Sequence, residues 1–177
     1  YINWWKGSAS IPGYGEEIDT PTALIERNVE FATGCALLIR RAVYEKCGGF
    51  DERYFMYEED VEYSLRISSC GWSILYTPTA QINHIGQGSQ GENVQSIGMY
   101  DSRNPRLAFF VYHVVRNRFM TVFLHASAVN KFKFSIGILA WISKKSFIWL
   151  INYRFDALVA VFKGLRDVRQ QMNIKES

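Results

Sequence analysis

Residues 31–85 read FATGCALLIRRAVYEKCGGFDERYFMYEEDVEYSLRISSCGWSILYTPTAQINHI, and the punctuation of this stretch decides the fold class. Phe31 to Ile39 is a short apolar run interrupted by Thr33-Gly34-Cys35; its length predicts a buried strand with the glycine at a bulge or a close backbone approach. Arg40 to Cys47 predicts two helical turns, stopped by Gly48-Gly49. An aromatic loop from Phe50 to Tyr57 leads into a second helix, about Glu58 to Cys70. That helix has Val61 and Leu65 one turn apart on its inner face and Gly71 just past its end. Trp72 to Tyr76 predicts a strand, Thr77-Pro78 a turn, and Ala80 to Ile85 a further strand. Strand, helix, helix, strand, strand within so short a span belongs to the α/β class.

Outward from this stretch, the 177 residues (20.5 kDa) suit one folded unit: 48% are apolar and 21% charged, which excludes a disordered chain. Residues 1–22 mix aromatics with Gly, Pro and Ser without a period, and the Trp4-Trp5 pair there either packs on a neighbouring surface or lines a ligand. Three cysteines (Cys35, Cys47 and Cys70) with no CxxC pair predict neither a disulfide scaffold nor a zinc site, but reduced thiols in a cytoplasmic protein. The net charge of +3 hides a split. Residues 1–102 hold 7 Lys and Arg against 14 Asp and Glu, whereas residues 103–177 hold 13 against 3. Two surfaces with different partners are the expectation.

Beyond residue 104 the sequence is helical in character, in three apolar segments punctuated by Lys and Arg. None has 18 uninterrupted apolar residues, so interfacial rather than spanning helices are expected. Packing of the same helices against the α/β part is the equal alternative. The basic residues are interleaved with Ile, Leu and Phe and match no groove-reading motif, which argues against nucleic acid.

Chemistry-bearing residues are few. Gly86-Gln87-Gly88-Ser89-Gln90-Gly91 matches G-x-G-x-x-G, but no helix opens at its third glycine and no acid lies between Arg103 and Phe155, so a lid is expected rather than a dinucleotide site. Glu58-Glu59-Asp60-Val61-Glu62 opens a helix. Carboxylates in a first turn complement the helix dipole, yet four acids in five residues exceed that need, and crowding tunes such a group toward general-base work. His84 ends a strand and becomes a candidate metal ligand if it meets those acids in space. His113 and His125 lie in apolar helices without comparable company.

Thr33-Gly34-Cys35-Ala36-Leu37-Leu38-Ile39-Arg40-Arg41, Gly48-Gly49-Phe50-Asp51-Glu52, Tyr57-Glu58-Glu59-Asp60-Val61-Glu62, Arg66, Gly71-Trp72 and His84-Ile85-Gly86, in this order and spacing, resemble the family 2 glycosyltransferases. The branch resembled is the rhamnosyltransferase-like one that builds bacterial cell-surface polysaccharide. Tyr112 and Arg116-Asn117-Arg118 resemble that family's helix after the catalytic motif more weakly. The resemblance implies the C-terminal, acceptor-binding half of a GT-A fold over residues 1–104, followed by a helical, membrane-associating extension over residues 105–177.

It further implies inverting transfer from a nucleotide-diphosphate sugar, dTDP-rhamnose being one candidate, to a saccharide or polyprenyl-linked saccharide. Asp60 would be the general base with Glu59 beside it. Gly34, Cys35, Tyr57 and Arg66 would contact substrate, and His84 would join the ligands of Mg²⁺ or Mn²⁺ on the leaving diphosphate. The family's Asp-x-Asp metal motif and its first βαβ units are not in the sequence, so this chain by itself is expected to turn over little. The anionic inner leaflet of the cell membrane is the expected partner of the basic segment, docked through Trp141, Trp149, Phe147 and Tyr153 next to Lys144 and Lys145, giving a peripheral cytoplasmic location. The alternative is a non-catalytic remnant that binds sugar or membrane.

Overall fold

The computed structural model describes residues 1–11, 20–21, 23–83 and 97–173. The sequence motifs that fall on residues 84–96, namely His84 and the Gly-rich stretch, lie outside them.

Elements follow in the order β1 (Ile2–Asn3), β2 (Ser8–Ala9), β3 (Arg27–Val29), α1 (Arg41–Cys47), α2 (Glu59–Ser69), β4 (Ile74–Tyr76), α3 (Leu107–His125), α4 (Ala128–Ile151) and α5 (Phe155–Asn173). The class is mixed but helical. Strands β1 and β2 form a small antiparallel hairpin turned at Gly7, whose φ of 62° suits a residue without Cβ. Strands β3 and β4 pair antiparallel, Arg27 opposite Tyr76 and Val29 opposite Ile74.

Both helices anticipated around the Gly48-Gly49 stop are present, and Gly48 and Gly71 end them at φ 77° and 87°. The expected strand at Phe31 to Ile39 is irregular backbone instead. Its amides are taken by side chains of α2: Ala32 N donates to Ser64 Oγ at 3.3 Å and Gly34 N to Asp60 Oδ2 at 3.1 Å. With these donors committed to a helix, no ladder forms there, and Leu38 is fully exposed. The partner of β4 is supplied by residues 27–29, just upstream. Residues 80–83 are likewise outside any strand.

Three apolar clusters hold the molecule. Val43, Cys47, Tyr63, Ile67 and Ile74 join α1, α2 and β4. Leu107, Val111, Val115, Trp149, Ala157, Ala160 and Val161 join α3 and α5 with the end of α4. Small residues set that second contact: a Cβ on Gly164 of α5 would stand 3.0 Å from the Tyr112 carbonyl of α3, so the two helices approach to backbone contact. The third cluster, Val122, Ala126, Phe134 and Ile138, receives Trp4 from the hairpin. There the Trp5 carbonyl lies where a Cβ on Gly137 would be, at 2.0 Å, so only glycine lets the hairpin seat on α4.

Averaged hydropathy treats the C-terminal segments differently from uninterrupted runs. Both α3 and α4 are long and apolar enough to cross a bilayer, with mean hydropathy of 1.2 and 1.4. Their environments differ. Helix α3 is mostly enclosed by protein, whereas α4 leaves Val129, Phe132, Ile136, Leu139, Phe147 and Leu150 exposed at helical spacing.

Candidate active site

The head of α2 is built on an unusual turn. Tyr57 and Glu58 are consecutive non-glycine residues with φ of 66°, a conformation that costs about 1–3 kcal/mol each and persists only where surroundings impose it. Helix α3 does the imposing. Asn117, fully buried, donates through Nδ2 to the Met56 carbonyl at 2.8 Å and the Tyr57 carbonyl at 2.7 Å. Arg116 donates through Nη2 to the Arg53 carbonyl at 2.9 Å and through Nε to Asn117 Oδ1 at 2.9 Å. The Tyr54 hydroxyl and Thr121 Oγ1 are 3.0 Å apart in the interior. Arg118 completes the set, its Nε donating to Glu58 Oε1 at 2.8 Å. Four polar side chains spaced along an otherwise apolar helix thus grip residues 53–58.

This turn places the acids. Asp60 accepts from Gly34 N at 3.1 Å through Oδ2 and from Val61 N at 2.9 Å through Oδ1. Burial pushes its carboxyl above the usual range, and the hydrogen bonds from Gly34 and Val61 only partly offset that. Glu59 is pushed up in the same direction by burial, and one of its carboxylate oxygens is enclosed without a partner among the described residues. Asp60, Tyr57 and Glu58 line a cleft of about 240 Å³ together with Ser8, Phe31, Tyr100 and Arg118. A carboxylate of raised basicity at the wall of such a cleft is equipped to take a proton from a bound hydroxyl.

The other residues singled out in the sequence are distributed around this head. The Gly34 amide contacts Asp60, but a Cβ there would meet ordinary contact distances of 3.8 Å, so its role is the amide rather than missing bulk. The Cys35 thiol is free and exposed beside it. Tyr57 lies in the cleft, its ring tilted against Phe110 at 5.5 Å. Arg66 points to the far side of α2. Its guanidinium grips Glu62 through Nε at 2.9 Å and Nη2 at 2.8 Å, the Cys47 carbonyl at 2.5 Å and the Gly49 carbonyl at 2.8 Å. These partners make it a brace that ties the end of α1 to α2, away from the Asp60 cleft.

His125, read from sequence as isolated, has company after all: its Nε2 is 3.1 Å from Glu62 Oε1. Burial opposes the charge on Glu62, but hydrogen bonds from His125 and Arg66 hold its carboxyl below the usual range. His113 is enclosed by Phe55, Phe109 and Tyr112, and burial followed by the nearby Arg116 charge depresses it to about 4.

Whether these residues suit a cation was tested on the donors. Among the described residues no three His, Cys, Asp or Glu side chains converge on one point. The acids of the α2 head bind amides, Arg118 and Ser8 instead. The described donors do not make a divalent-cation site, and His84, the sequence candidate, is outside them.

Sequence reading missed Ser8 as a site residue and named Glu58 only as one acid of the cluster. Ser8 Oγ donates to Glu58 Oε1 at 3.0 Å from the N-terminal hairpin, in a stretch without periodicity. The signal for α3 was present: Arg116-Asn117-Arg118 is a polar triplet inside an apolar helix, which a merely packed helix does not need.

Comparison with known proteins gives the family of the chain. The model of the family described as "Glycosyltransferase like family 2" matches residues 13–109, more than half of the chain and inclusive of the whole α2 head. Over 93 residues the chain is 38% identical to the N-acetylglucosaminyl-diphospho-decaprenol L-rhamnosyltransferase of Mycobacterium tuberculosis; this covers 52% of the chain and 29% of that enzyme. It is 36% identical over 56 residues to rhamnosyltransferase WbbL of Escherichia coli, covering 32% of the chain and 21% of that protein. The O-antigen biosynthesis protein RfbC of Myxococcus xanthus is 36% identical over 69 residues, covering 38% of the chain and 5% of that protein. The matches thus span under a third of each of these relatives. No solved structure matches the chain significantly. On the extent of the family match, the chain belongs to the glycosyltransferase-like family 2.

Proposed function

We propose that this chain supplies the acceptor side and the general base of an inverting sugar transfer in cell-surface polysaccharide synthesis. The donor is a nucleotide-diphosphate sugar, with dTDP-rhamnose the first candidate, since two of the similar proteins are rhamnosyltransferases. The acceptor is a saccharide, free or carried on a polyprenyl diphosphate, as the name of the mycobacterial relative suggests. The observation that carries this reading is the Asp60 carboxylate. It is partly buried, basic for its type, fixed by the Gly34 amide and set in the wall of a cleft.

In this mechanism an acceptor hydroxyl enters the cleft and hydrogen-bonds to Asp60. As its oxygen attacks the anomeric carbon of the donor, Asp60 takes the proton and the nucleoside diphosphate leaves from the opposite face, inverting the centre. Enclosure of the carboxylate keeps bulk water from competing for that proton. The resemblance assigns charge stabilisation on the leaving diphosphate to a divalent cation. The test joins this chain to a nucleotide-binding half of the same family and incubates the joined protein with dTDP-rhamnose and N-acetylglucosaminyl-diphospho-polyprenol, with products resolved by mass spectrometry. A product one deoxyhexose heavier is expected; hydrolysis of the donor without transfer, or no reaction, overturns the reading.

The exposed face of α4 gives the lipid-linked acceptor a surface to come from. Val129, Phe132, Ile136, Leu139, Phe147 and Leu150 line one side of a helix that also carries Lys131, Lys133, Lys144 and Lys145. Two tryptophans that the sequence offered to the membrane are placed otherwise: Trp149 is fully buried and Trp141 packs edge-on against it at 6.0 Å. The phenylalanines and leucines make the docking face instead, with the lysines attracting anionic head groups at about 1 kcal/mol each. Sedimentation with vesicles is expected to show stronger binding to phosphatidylglycerol than to phosphatidylcholine. Equal binding to both, or none, leaves the face to another partner.

A further inference from the structure

Glu58 is a buried carboxylate satisfied on one oxygen only. Its side chain belongs to a residue just 8% exposed, and Oε1 receives both Arg118 Nε and Ser8 Oγ. Oε2 is enclosed and has no hydrogen-bond partner among the described residues. Leaving such an acceptor unpaired costs about 1–3 kcal/mol. Arg118 is half used in the same way: among the described residues its one side-chain hydrogen bond is made by Nε, which leaves both outer nitrogens uncommitted. A pair built only to hold α2 to α3 would saturate both groups. Both residues line the cleft that Asp60 lines, together with Tyr57 and Tyr100.

The two open groups select their ligand by charge. A phosphate or carboxylate would be repelled by Glu58, and an ammonium group by Arg118. A neutral group that both donates and accepts satisfies the two together, and a hydroxyl is such a group. We propose that the Glu58–Arg118 pair is a recognition site for adjacent hydroxyls of one pyranose ring, one hydroxyl donating to Glu58 Oε2 and the next accepting from the outer nitrogens of Arg118. Tyr57 and Tyr100, which also line the cleft, add apolar ring surface for the C–H groups of that sugar. The cleft, at about 240 Å³, falls below the ~300–1,000 Å³ of sites for larger ligands and suits a single ring. Burial holds the Glu58 carboxyl above the usual range even beside Arg118, as befits a carboxylate lacking one partner. The left-handed backbone at Glu58, which fixes where this side chain starts, is a strain of the kind found at ligand clamps.

This assignment rests on the cleft being the acceptor side, and it makes Glu58 and Arg118 specificity-determining for the acceptor while Asp60 handles the proton. The probe is methyl N-acetyl-β-D-glucosaminide with its 3-, 4- and 6-deoxy analogues, titrated into the full chain and followed by saturation-transfer NMR. At least one deoxy analogue is expected to bind about tenfold or more weakly, because its absence leaves a buried polar group unpaired again. In Glu58→Gln the same penalty is expected to shrink to under about threefold. Binding of all analogues within twofold of the parent overturns the assignment, as does a penalty that survives in folded Glu58→Gln. Should that variant fail to fold, the analogue series on the unaltered protein decides alone. If no glycoside binds up to tens of millimolar, the acceptor-side reading falls together with this one, whereas binding that is indifferent to deoxygenation removes this one only.

Discussion

Asp60→Asn, made in the chain joined to a nucleotide-binding half, is expected to lower the turnover number for sugar transfer by about 10²–10⁴-fold, the usual contribution of a positioned general base. The asparagine keeps the shape of the side chain and one oxygen for the Gly34 amide at 3.1 Å, so the turn and the cleft should survive. What it loses is basicity, and the Michaelis constant for acceptor should therefore move little. The unaltered protein supplies a second check. A base works only when unprotonated, so activity falls as pH drops through its pKa. Because burial raises the Asp60 carboxyl, that fall should lie above the ~3.9 of a free aspartate. In Asp60→Asn the same acid limb should vanish from whatever activity is left. Near-normal turnover, or an unchanged limb, assigns the proton transfer to another group.

Asn117→Ala carries the second large effect, on stability first and activity after. The side chain is fully buried and its amide holds the Met56 and Tyr57 carbonyls at 2.8 and 2.7 Å. Truncation strands two carbonyls, frees the Arg116 Nε that Oδ1 engages, and opens a small void. About 2–5 kcal/mol of stability should go, at 1–3 kcal/mol for each stranded buried group. The measurement is the urea midpoint at unchanged slope. Released from its clamp, the turn at Tyr57 and Glu58 has no reason to stay left-handed, and transfer should fall further than the loss of folded protein explains. Asn117→Asp is the instructive companion, since it restores shape without the donor and should fare no better. A melting shift under about 1 kcal/mol would mean that something other than α3 sets the turn.

How far the sequence reveals this architecture depends on where the physics is local. Gly48, Gly71 and the acid-rich start of α2 are local signals, and both helices came out within a residue or so of their expected ends. The run at Phe31 to Ile39 misleads because composition alone cannot say whether its amides will find a strand or the side chains of Ser64 and Asp60. The true partner of β4, Arg27–Val29, is three residues long and carries no alternating pattern. At the site, Asp60 is legible because its chemistry is written in a short motif. Ser8 is not, because its partner lies 50 positions away, and the polar triplet that marks Asn117 and Arg118 does not name theirs, 60 and 61 positions off. Tryptophans mislead in the opposite sense: Trp149 looks like a surface anchor among lysines and is the centre of a core.

The clamp that α3 places on residues 53–58 also dictates timing. Glu58 and Arg118 are 60 positions apart, so a nascent chain carries the acidic helix α2 for about 3–12 s, at 5–20 residues per second, before the residues that shape its head have been synthesised. Through that interval the growing segment has its acids but no template to arrange them, and the arrangement arrives only with α3.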